Sequence, residues 1–264
     1  MKKVLIILLI AFTIFLIGCE RADSGDPTQQ PPDTNGQTDV DASDSPDVPG
    51  PTADPDPPGN LMDFVARNPL IFTDKDLEFL EIHLWDSEQE LYDAIGEPIG
   101  KEETYEENFN SPVYYLEFED FGFVRMEPSR ESDTGDAEET EYIIGSVTLL
   151  SDKYAGPRGV RIGDGYMVVV NKFHVDDNMT GDIIDGLMYL YNYPEGTMYI
   201  SGRFIYREDA EDYNDDEILY IMYNFTPFGE NDEFLGVGYT LAFTLEEGRI
   251  VSIGMKKQST NIVY

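Results

Sequence analysis

Cys19 is the only cysteine among the 264 residues of this chain. The chain therefore cannot form an internal disulfide or a metal site with several cysteine ligands. Its folded part must be held together by a hydrophobic core alone. About 200 residues follow position 60, which is enough for one large or two small cores. The fold class has to be read from the hydrophobic pattern of these residues.

The cysteine lies at the end of an apolar N-terminal segment. Lys2 and Lys3 precede an almost unbroken apolar run from Val4 to Ile17, and the small residue Gly18 follows. This arrangement is typical of a secretory signal. The run has about 14 residues, fewer than the roughly 20 that a membrane-spanning helix needs. An uncleaved membrane anchor is the alternative interpretation.

The tetrapeptide Leu16-Ile17-Gly18-Cys19 resembles the bacterial lipobox, in which the cysteine is joined to diacylglycerol and becomes the first mature residue. The resemblance implies that residues 1–18 are removed and that Cys19 carries acyl chains. Each buried methylene contributes about 0.8 kcal/mol, and stable anchoring needs more than one chain. We therefore expect a lipid-anchored protein on the extracytoplasmic face of the cell membrane.

The chain is strongly acidic. It has 17 basic and 53 acidic residues and a formal charge of −36. Loss of Lys2 and Lys3 with the signal leaves 15 − 53 = −38. Such a charge repels nucleic acids and anionic lipid headgroups, so we expect no nucleic-acid partner. It is compatible with cationic partners, with divalent cations, or simply with a well-solvated surface.

Residues 19–60 have the composition of a disordered linker. Asp, Pro, Thr, Gly, Ser and Gln dominate, and large apolar residues are almost absent. Such a segment cannot bury enough apolar surface to offset the entropy of ordering. Proline and like charges keep it extended, so about 40 residues reach on the order of 100 Å. We expect a tether that lifts the folded part off the membrane.

The chain becomes apolar and aromatic after the linker. A short helix at 61–67, capped by Asn60, precedes a segment at 77–84 in which alternating apolar residues favour a strand, with a helix as the alternative. Ser87-Glu88-Gln89-Glu90 is a capping box that begins a clear helix, and Gly96 and Pro98 end it.

A similar unit recurs later in the chain. A shift of 78 residues aligns 82–87 with 160–165 and makes Asp164 the N-cap of a second helix at about 166–173. Segments 144–147 and 250–253 are similar closing strands. Eight strands are predicted from alternation and turn signals, at 113–119, 122–127, 142–150, 187–193, 198–206, 218–225, 239–245 and 250–255.

A helix followed by an antiparallel meander, twice, resembles tandem units of the BamE/SmpA and beta-lactamase-inhibitor-protein-like superfamily. The family motif is approximately Gly-x-[Ser/Thr/Asp]-x-x-x-[Val/Leu]-x-x-x-[Leu/Phe]-Gly-x-Pro. The first unit matches it at Ser87, Leu91, Ile95, Gly96 and Pro98 but has Trp85 at the leading glycine. The second matches at Gly163, Val169 and Phe173 but has His174 at the closing glycine.

The resemblance implies an α+β fold. Two helix-plus-antiparallel-meander units, at 61–155 and 156–264, would form a continuous or paired sheet behind the signal peptide and linker. In the inhibitor family a concave sheet binds a protein partner. The idea of a binding sheet carries over to this chain, although no inhibitory residue can be matched.

Tyrosines on two neighbouring strands are the candidate binding surface. We expect Tyr189, Tyr191 and Tyr193 to share one face of a strand, and Tyr199 and Arg203 to share a face of the next. Tyrosine buries a large area with few rotatable bonds and keeps a hydroxyl for hydrogen bonding, as a recognition surface requires. Cross-strand packing beneath a helix is the alternative.

The candidate metal site is a loop with oxygen ligands in the spacing of a calcium-binding EF-hand. Its ligands would be Asp176, Asn178, Thr180 and Asp182, with Gly181 at the turn. The acid at the twelfth position is missing because Leu187 stands there, so Asp185 would have to replace it. An ordinary Asx- and Gly-rich turn is the alternative.

The sequence carries little catalytic apparatus. It has two histidines, His83 and His174, and none of the common nucleophile, zinc-protease or phosphate-loop motifs. The sequence therefore favours a non-catalytic protein, without a cofactor apart from possible calcium, that presents a sheet to a protein or envelope ligand. The alternatives are a calcium-binding surface lipoprotein and, third, an envelope hydrolase.

Overall fold

The computed structural model describes residues 65–78, 81–129, 132–133, 140–176, 183, 186–193, 200–210, 213–227 and 237–259. The signal segment and the linker predicted from the sequence lie outside these residues. Within them, antiparallel strands predominate and helices are few, which confirms the α+β class.

In the described part of the chain, nine strands form a single antiparallel sheet in the order β1-β2-β3-β4-β9-β8-β7-β6-β5. The strands are β1 (Gly100–Thr104), β2 (Val113–Phe118), β3 (Gly122–Pro128), β4 (Tyr142–Leu149), β5 (Leu187–Tyr193), β6 (Ile200–Tyr206), β7 (Ile218–Phe225), β8 (Val237–Glu246) and β9 (Arg249–Ser259). The eight predicted strands are β2 to β9. Strand β1 was not predicted because its charged sequence has no apolar alternation, which suits a sheet edge that must avoid pairing with other chains.

Of the short helix predicted at 61–67, only residues 65–67 are described, and they are helical. The helix predicted from the capping box at Ser87 is confirmed as α1 (Glu88–Ile95). The Ser87 hydroxyl accepts a hydrogen bond from the Glu90 N–H, and the Glu90 carboxylate accepts one from the Ser87 N–H at 2.8 Å. The C-cap Gly96 has φ of +90°, a conformation that glycine adopts without strain. Leu91 is the fully buried residue of this helix.

The second helix differs from its prediction in both length and cap. It is α2 (Tyr166–Val170), and its N-cap is Gly165 rather than Asp164. The Asp164 carboxylate instead accepts a hydrogen bond from the Arg161 N–H, at 2.8 Å. Three consecutive valines are poor helix formers, so the helix ends early. Phe173 lies beyond it, in the core.

The strand favoured for 77–84 is wrong for the residues described. A 3₁₀ turn, Asp74–Leu77, comes first. Ile82 and Leu84 are buried as an alternating pattern requires, but Glu81 and Trp85 have φ of +61° and +96°. These left-handed residues turn the chain where a strand would continue.

One face of the sheet carries the aromatic core, and the helices pack on it. Tyr92 of α1 lies 6.5 Å from Phe118, and Tyr166 of α2 lies 6.2 Å from Phe204, measured between ring centroids. The alternation of the strands therefore directs their other side chains to the opposite face.

Each half of the strand order runs from an edge of the sheet to its centre. Strands β1 to β4 approach from one side and β5 to β9 from the other, and β4 meets β9 with Thr148 opposite Gly254.

The same two-bond contact precedes each helix. In both, the backbone N–H of one residue donates to the carbonyl of a residue in a central strand. The N–H of that same strand residue donates to the carbonyl of the residue that follows the first. The bonds are Trp85 N to Ile144 O (3.0 Å), Ile144 N to Asp86 O (2.9 Å), Gly163 N to Ile250 O (2.8 Å) and Ile250 N to Asp164 O (2.9 Å).

Arg158 ties the segment before α1 to the second half of the chain. Its guanidinium donates to both carboxylate oxygens of Asp76, at 2.6 and 2.8 Å. It also donates to the carbonyls of Leu70 (2.8 Å), Ile71 (2.8 Å) and Lys172 (2.6 Å). All five N–H groups of an arginine are satisfied in this way.

Candidate functional site

The sheet face opposite the helices carries a row of polar side chains across seven strands. Its members are consecutive partners in the strand register, so they lie side by side on one face. From β6 to β2 this polar row is Ser201, Asn224, Thr240, Lys256, Ser146, Arg125 and Tyr115.

The β6 end of the polar row is buried and internally hydrogen-bonded. The Asn224 amide donates to the Ser201 hydroxyl at 3.3 Å, and the Thr240 hydroxyl donates to the Asn224 carbonyl at 2.9 Å. Ser201 and Thr240 are almost fully inaccessible to solvent. These residues satisfy one another, so they stabilise the sheet.

The β2 end is half-buried and charged. Arg125 binds Glu106 through two bonds, Nε to Oε1 at 3.0 Å and Nη2 to Oε2 at 2.7 Å. Its third nitrogen donates to Glu127 Oε2 at 2.5 Å, and Lys257 Nζ lies 3.5 Å from Glu127 Oε1. The Tyr115 hydroxyl donates to Glu106 at 3.1 Å. We call these five residues the charged cluster.

Pairing determines the electrostatics of this cluster. Burial alone would raise the pKa of Glu106, but hydrogen bonds and the positive charge of Arg125 outweigh it and lower that pKa. Burial, with the charge of Glu106, raises the pKa of Tyr115 to about 12. Two cations and two carboxylates cancel, so the charged cluster is formally neutral in a chain of charge −36.

The single tryptophan extends the charged cluster to the surface. Trp85 is 41% exposed, and Lys257 Nζ lies 3.2 Å from the centroid of its ring. The Lys257 ammonium therefore packs on one face of the indole. One sequence signal pointed to this site, namely the tryptophan at the position where the motif of the resembled superfamily has glycine.

The predicted alternation of the β5 tyrosines is interrupted by a β-bulge between Tyr189 and Tyr191. Tyr189 pairs with Arg203 and Tyr191 pairs with Gly202, so these two tyrosines lie on opposite faces. Tyr189 is 38% exposed, whereas Tyr191 is 2% exposed. The expectation that they share one face is corrected.

Tyr191 packs in the core. Its ring centroid lies 6.1 Å from that of Tyr223 and 5.3 Å from that of His174. Burial raises its pKa far above the ordinary value. Gly202 leaves the space that both tyrosine rings occupy, because a Cβ there would lie 2.7 Å from each. Tyr191 is therefore a packing residue of the core, as the alternative interpretation predicted, and a ligand on the surface cannot contact it.

Arg203 is the other predicted binding residue that the structure places. It is half-buried and its guanidinium donates to Met222 Sδ at 3.2 Å. It shares the polar face with Tyr189. The side chain of Tyr193 and all of Tyr199 lie outside the described residues.

Of the predicted metal ligands, only Asp176 is described. It is exposed, and its carboxylate Oδ1 lies 2.8 Å from His174 Nε2, at hydrogen-bonding distance. Asn178, Thr180, Asp182 and Asp185 lie outside the described residues, so calcium binding there stays a prediction. In the described segments no three His, Cys, Asp or Glu side chains are grouped to hold a metal ion.

No protein family, curated protein or solved structure matches the chain. None of the helices in the described part of the chain is long and apolar enough to cross a membrane.

Proposed function

We propose that this chain is a lipid-anchored extracytoplasmic protein, without a catalytic role, that binds a protein or envelope ligand through the polar face of its sheet. The observation that carries the proposal is the charged cluster beside Trp85. Its ion pairs hold polar groups in fixed positions, and binding then needs little further ordering.

The proposed anchor is supported by the sequence at Leu16-Ile17-Gly18-Cys19 and by the acidic linker that follows. The linker would hold the sheet away from the bilayer, where its polar face is accessible to a second molecule.

We further propose that 61–155 and 156–264 are tandem repeats of one unit. The mirrored strand order and the matching contacts before α1 and α2 support this. So do two β-bulges at corresponding positions, between Arg125 and Met126 in β3 and between Thr244 and Leu245 in β8. Met126 pairs with Ile144, as Leu245 pairs with Ile250.

The anchor is tested by expressing the full chain and its Cys19→Ser variant in a bacterium. We expect the wild type in the membrane fraction, with a diacylated cysteine found by mass spectrometry. The variant should lose the lipid. Membrane recovery of an unmodified wild-type thiol, with residues 1–18 retained, would contradict the anchor.

The binding surface is tested by retention of the full chain, kept in detergent so that its lipid is masked, on immobilised envelope fractions washed in the same detergent. Arg125→Lys keeps the charge but cannot form the two-pronged contact with Glu106, so we expect weaker retention. Met167→Ala, at a 47% exposed position on α2, is the matched control and should leave retention unchanged. Equal retention of all three proteins would refute binding through the polar face.

A further inference from the structure

We infer that Trp85 and the charged cluster form a binding site for a neutral oligosaccharide, with a sugar ring stacked on the indole. This inference rests on the proposed binding role of the polar face and names its ligand class. It does not depend on the lipid anchor.

The backbone at Trp85 is the first argument. Its φ of +96° is a conformation that side chains rarely adopt, and Gly163 takes φ of +89° in the matching contact before α2. Glycine satisfies this geometry without strain, yet the first contact carries the largest side chain. Much of that side chain stays in solvent. Retained strain at an exposed position indicates a functional role for the residue.

The fixed orientation of the indole is the second argument. Lys257 packs on one face of the ring, and its ammonium is itself placed by Glu127 at 3.5 Å, so the ring rests on an ordered contact before any ligand arrives. A rigid aromatic surface binds at low entropic cost. The C–H face of a pyranose is flat and apolar, and it fits such a ring.

The alternation of donors and acceptors is the third argument. Arg125 carries N–H donors, Glu106 and Glu127 carry carboxylate acceptors, and Tyr115 carries a hydroxyl. The side chains of Arg125, Glu106 and Glu127 are 16%, 25% and 13% exposed, whereas that of Lys257 is 6% exposed and packs on the indole. A sugar hydroxyl both donates and accepts, so neighbouring hydroxyls can meet either kind of group. Charge-assisted hydrogen bonds of this kind are stronger than neutral ones.

Charge selects a neutral ligand. The charged cluster has no net charge, because two cations pair with two carboxylates. The whole chain carries −36 and repels anions at longer range. A cationic group would meet the Lys257 ammonium on the ring. A ligand with hydroxyls and no charge avoids both costs.

Trp85 is the only tryptophan in the chain, so its fluorescence reports on this site alone. The full chain, in a detergent without sugar headgroups, is titrated with tetramers of glucose and of N-acetylglucosamine. We expect at least one to change the emission saturably. The anionic tetramer of galacturonic acid should bind with an affinity at least about tenfold lower, because the acidic chain repels it.

Two variants test the residues. Calorimetry on Trp85→Gly should show about 30-fold weaker binding, the loss expected for removing a central aromatic contact. Glu127→Gln, which keeps the side-chain shape, should weaken binding about tenfold. Met167→Ala should bind like the wild type. Circular dichroism establishes that each variant is folded.

Three results would overturn the inference: no emission change with either neutral tetramer, equal binding of the anionic tetramer, or full affinity in folded Trp85→Gly. Envelope retention that still depends on Arg125 would then keep the broader binding proposal and reject only the sugar. If sugar binding and Arg125-dependent envelope retention are both absent, the sugar inference and the broader binding proposal are both rejected.

Discussion

The left-handed backbone at Trp85 makes an unusual prediction about glycine and alanine. At φ of +96° a residue with a Cβ costs about 1–2 kcal/mol more than glycine. Trp85→Gly and Trp85→Ala both lose the packing of the ring, so that loss cancels when the two variants are compared. We expect Trp85→Ala to be less stable than Trp85→Gly by about 1–2 kcal/mol. In an ordinary backbone conformation glycine is the less stable of the two by about 0.5–1 kcal/mol.

Gly163 gives an independent measure of the same strain. Its φ is +89°, and a Cβ added there meets nothing within 4 Å. Gly163→Ala therefore changes the backbone preference without a steric clash, and we expect it to cost about 1–2 kcal/mol. Gly100 is the control, since its backbone lies outside the left-handed region and its Cβ would have an ordinary 3.4 Å contact. Gly100→Ala should be neutral or slightly stabilising.

Urea denaturation of the full chain, followed by far-UV circular dichroism, gives the free energy of unfolding of each variant. The strain argument is refuted if Trp85→Ala equals or exceeds Trp85→Gly in stability. It is equally refuted if Gly163→Ala unfolds at the wild-type midpoint. Either result would also remove the backbone argument for a functional role of Trp85.

Three further predictions concern other parts of the fold. Arg158→Met leaves the buried Asp76 carboxylate without its counterion, and urea denaturation should show that the free energy of unfolding falls by about 3–5 kcal/mol. A fall below about 1 kcal/mol would contradict a stabilising role of this ion pair. Gly202→Ala forces a Cβ against two tyrosine rings, and urea denaturation should show a loss of about 1–3 kcal/mol; an unchanged midpoint would contradict this packing. The lowered pKa of Glu106 adds stability that is present above the unfolded-state pKa of about 4.3 and is lost as pH falls through the folded pKa. Glu106→Gln should therefore flatten the fall in stability below about pH 4.3, and an unchanged acid limb would contradict this.

The parts of the fold that sequence reasoning predicted are those fixed by local interactions. The capping box at Ser87 and Glu90 closes within one helical turn, so its residues identify α1 directly. The hairpins have local turns and apolar alternation. Strand β1 has neither, and it is a strand only because β2 pairs with it. Asp164 failed as a cap because the Arg161 N–H competes for its carboxylate.

The candidate site was harder to predict because its contacts are distant in sequence. Glu127 and Lys257 are 130 residues apart, and 53 acidic residues give no reason to choose Glu127. The tyrosine prediction failed for a different reason. A single bulged residue in β5 moved Tyr191 to the other face, and alternation in a sequence cannot show a bulge.

On the proposed duplication, the two halves of the sheet match in backbone but not in polar side chains, and this difference supports the proposed binding at the polar face. Arg125 pairs with Ser146 before one β-bulge, and Thr244 pairs with Ser252 before the other, where the two hydroxyls hydrogen-bond at 2.6 Å. On the proposed duplication, Thr244 and Gly163 are the second-half counterparts of Arg125 and Trp85. The second half meets the structural need with small side chains and an unstrained glycine. Because the fold is satisfied by those residues, the larger charged and aromatic residues of the first half require another explanation, and the one we propose is binding at the polar face.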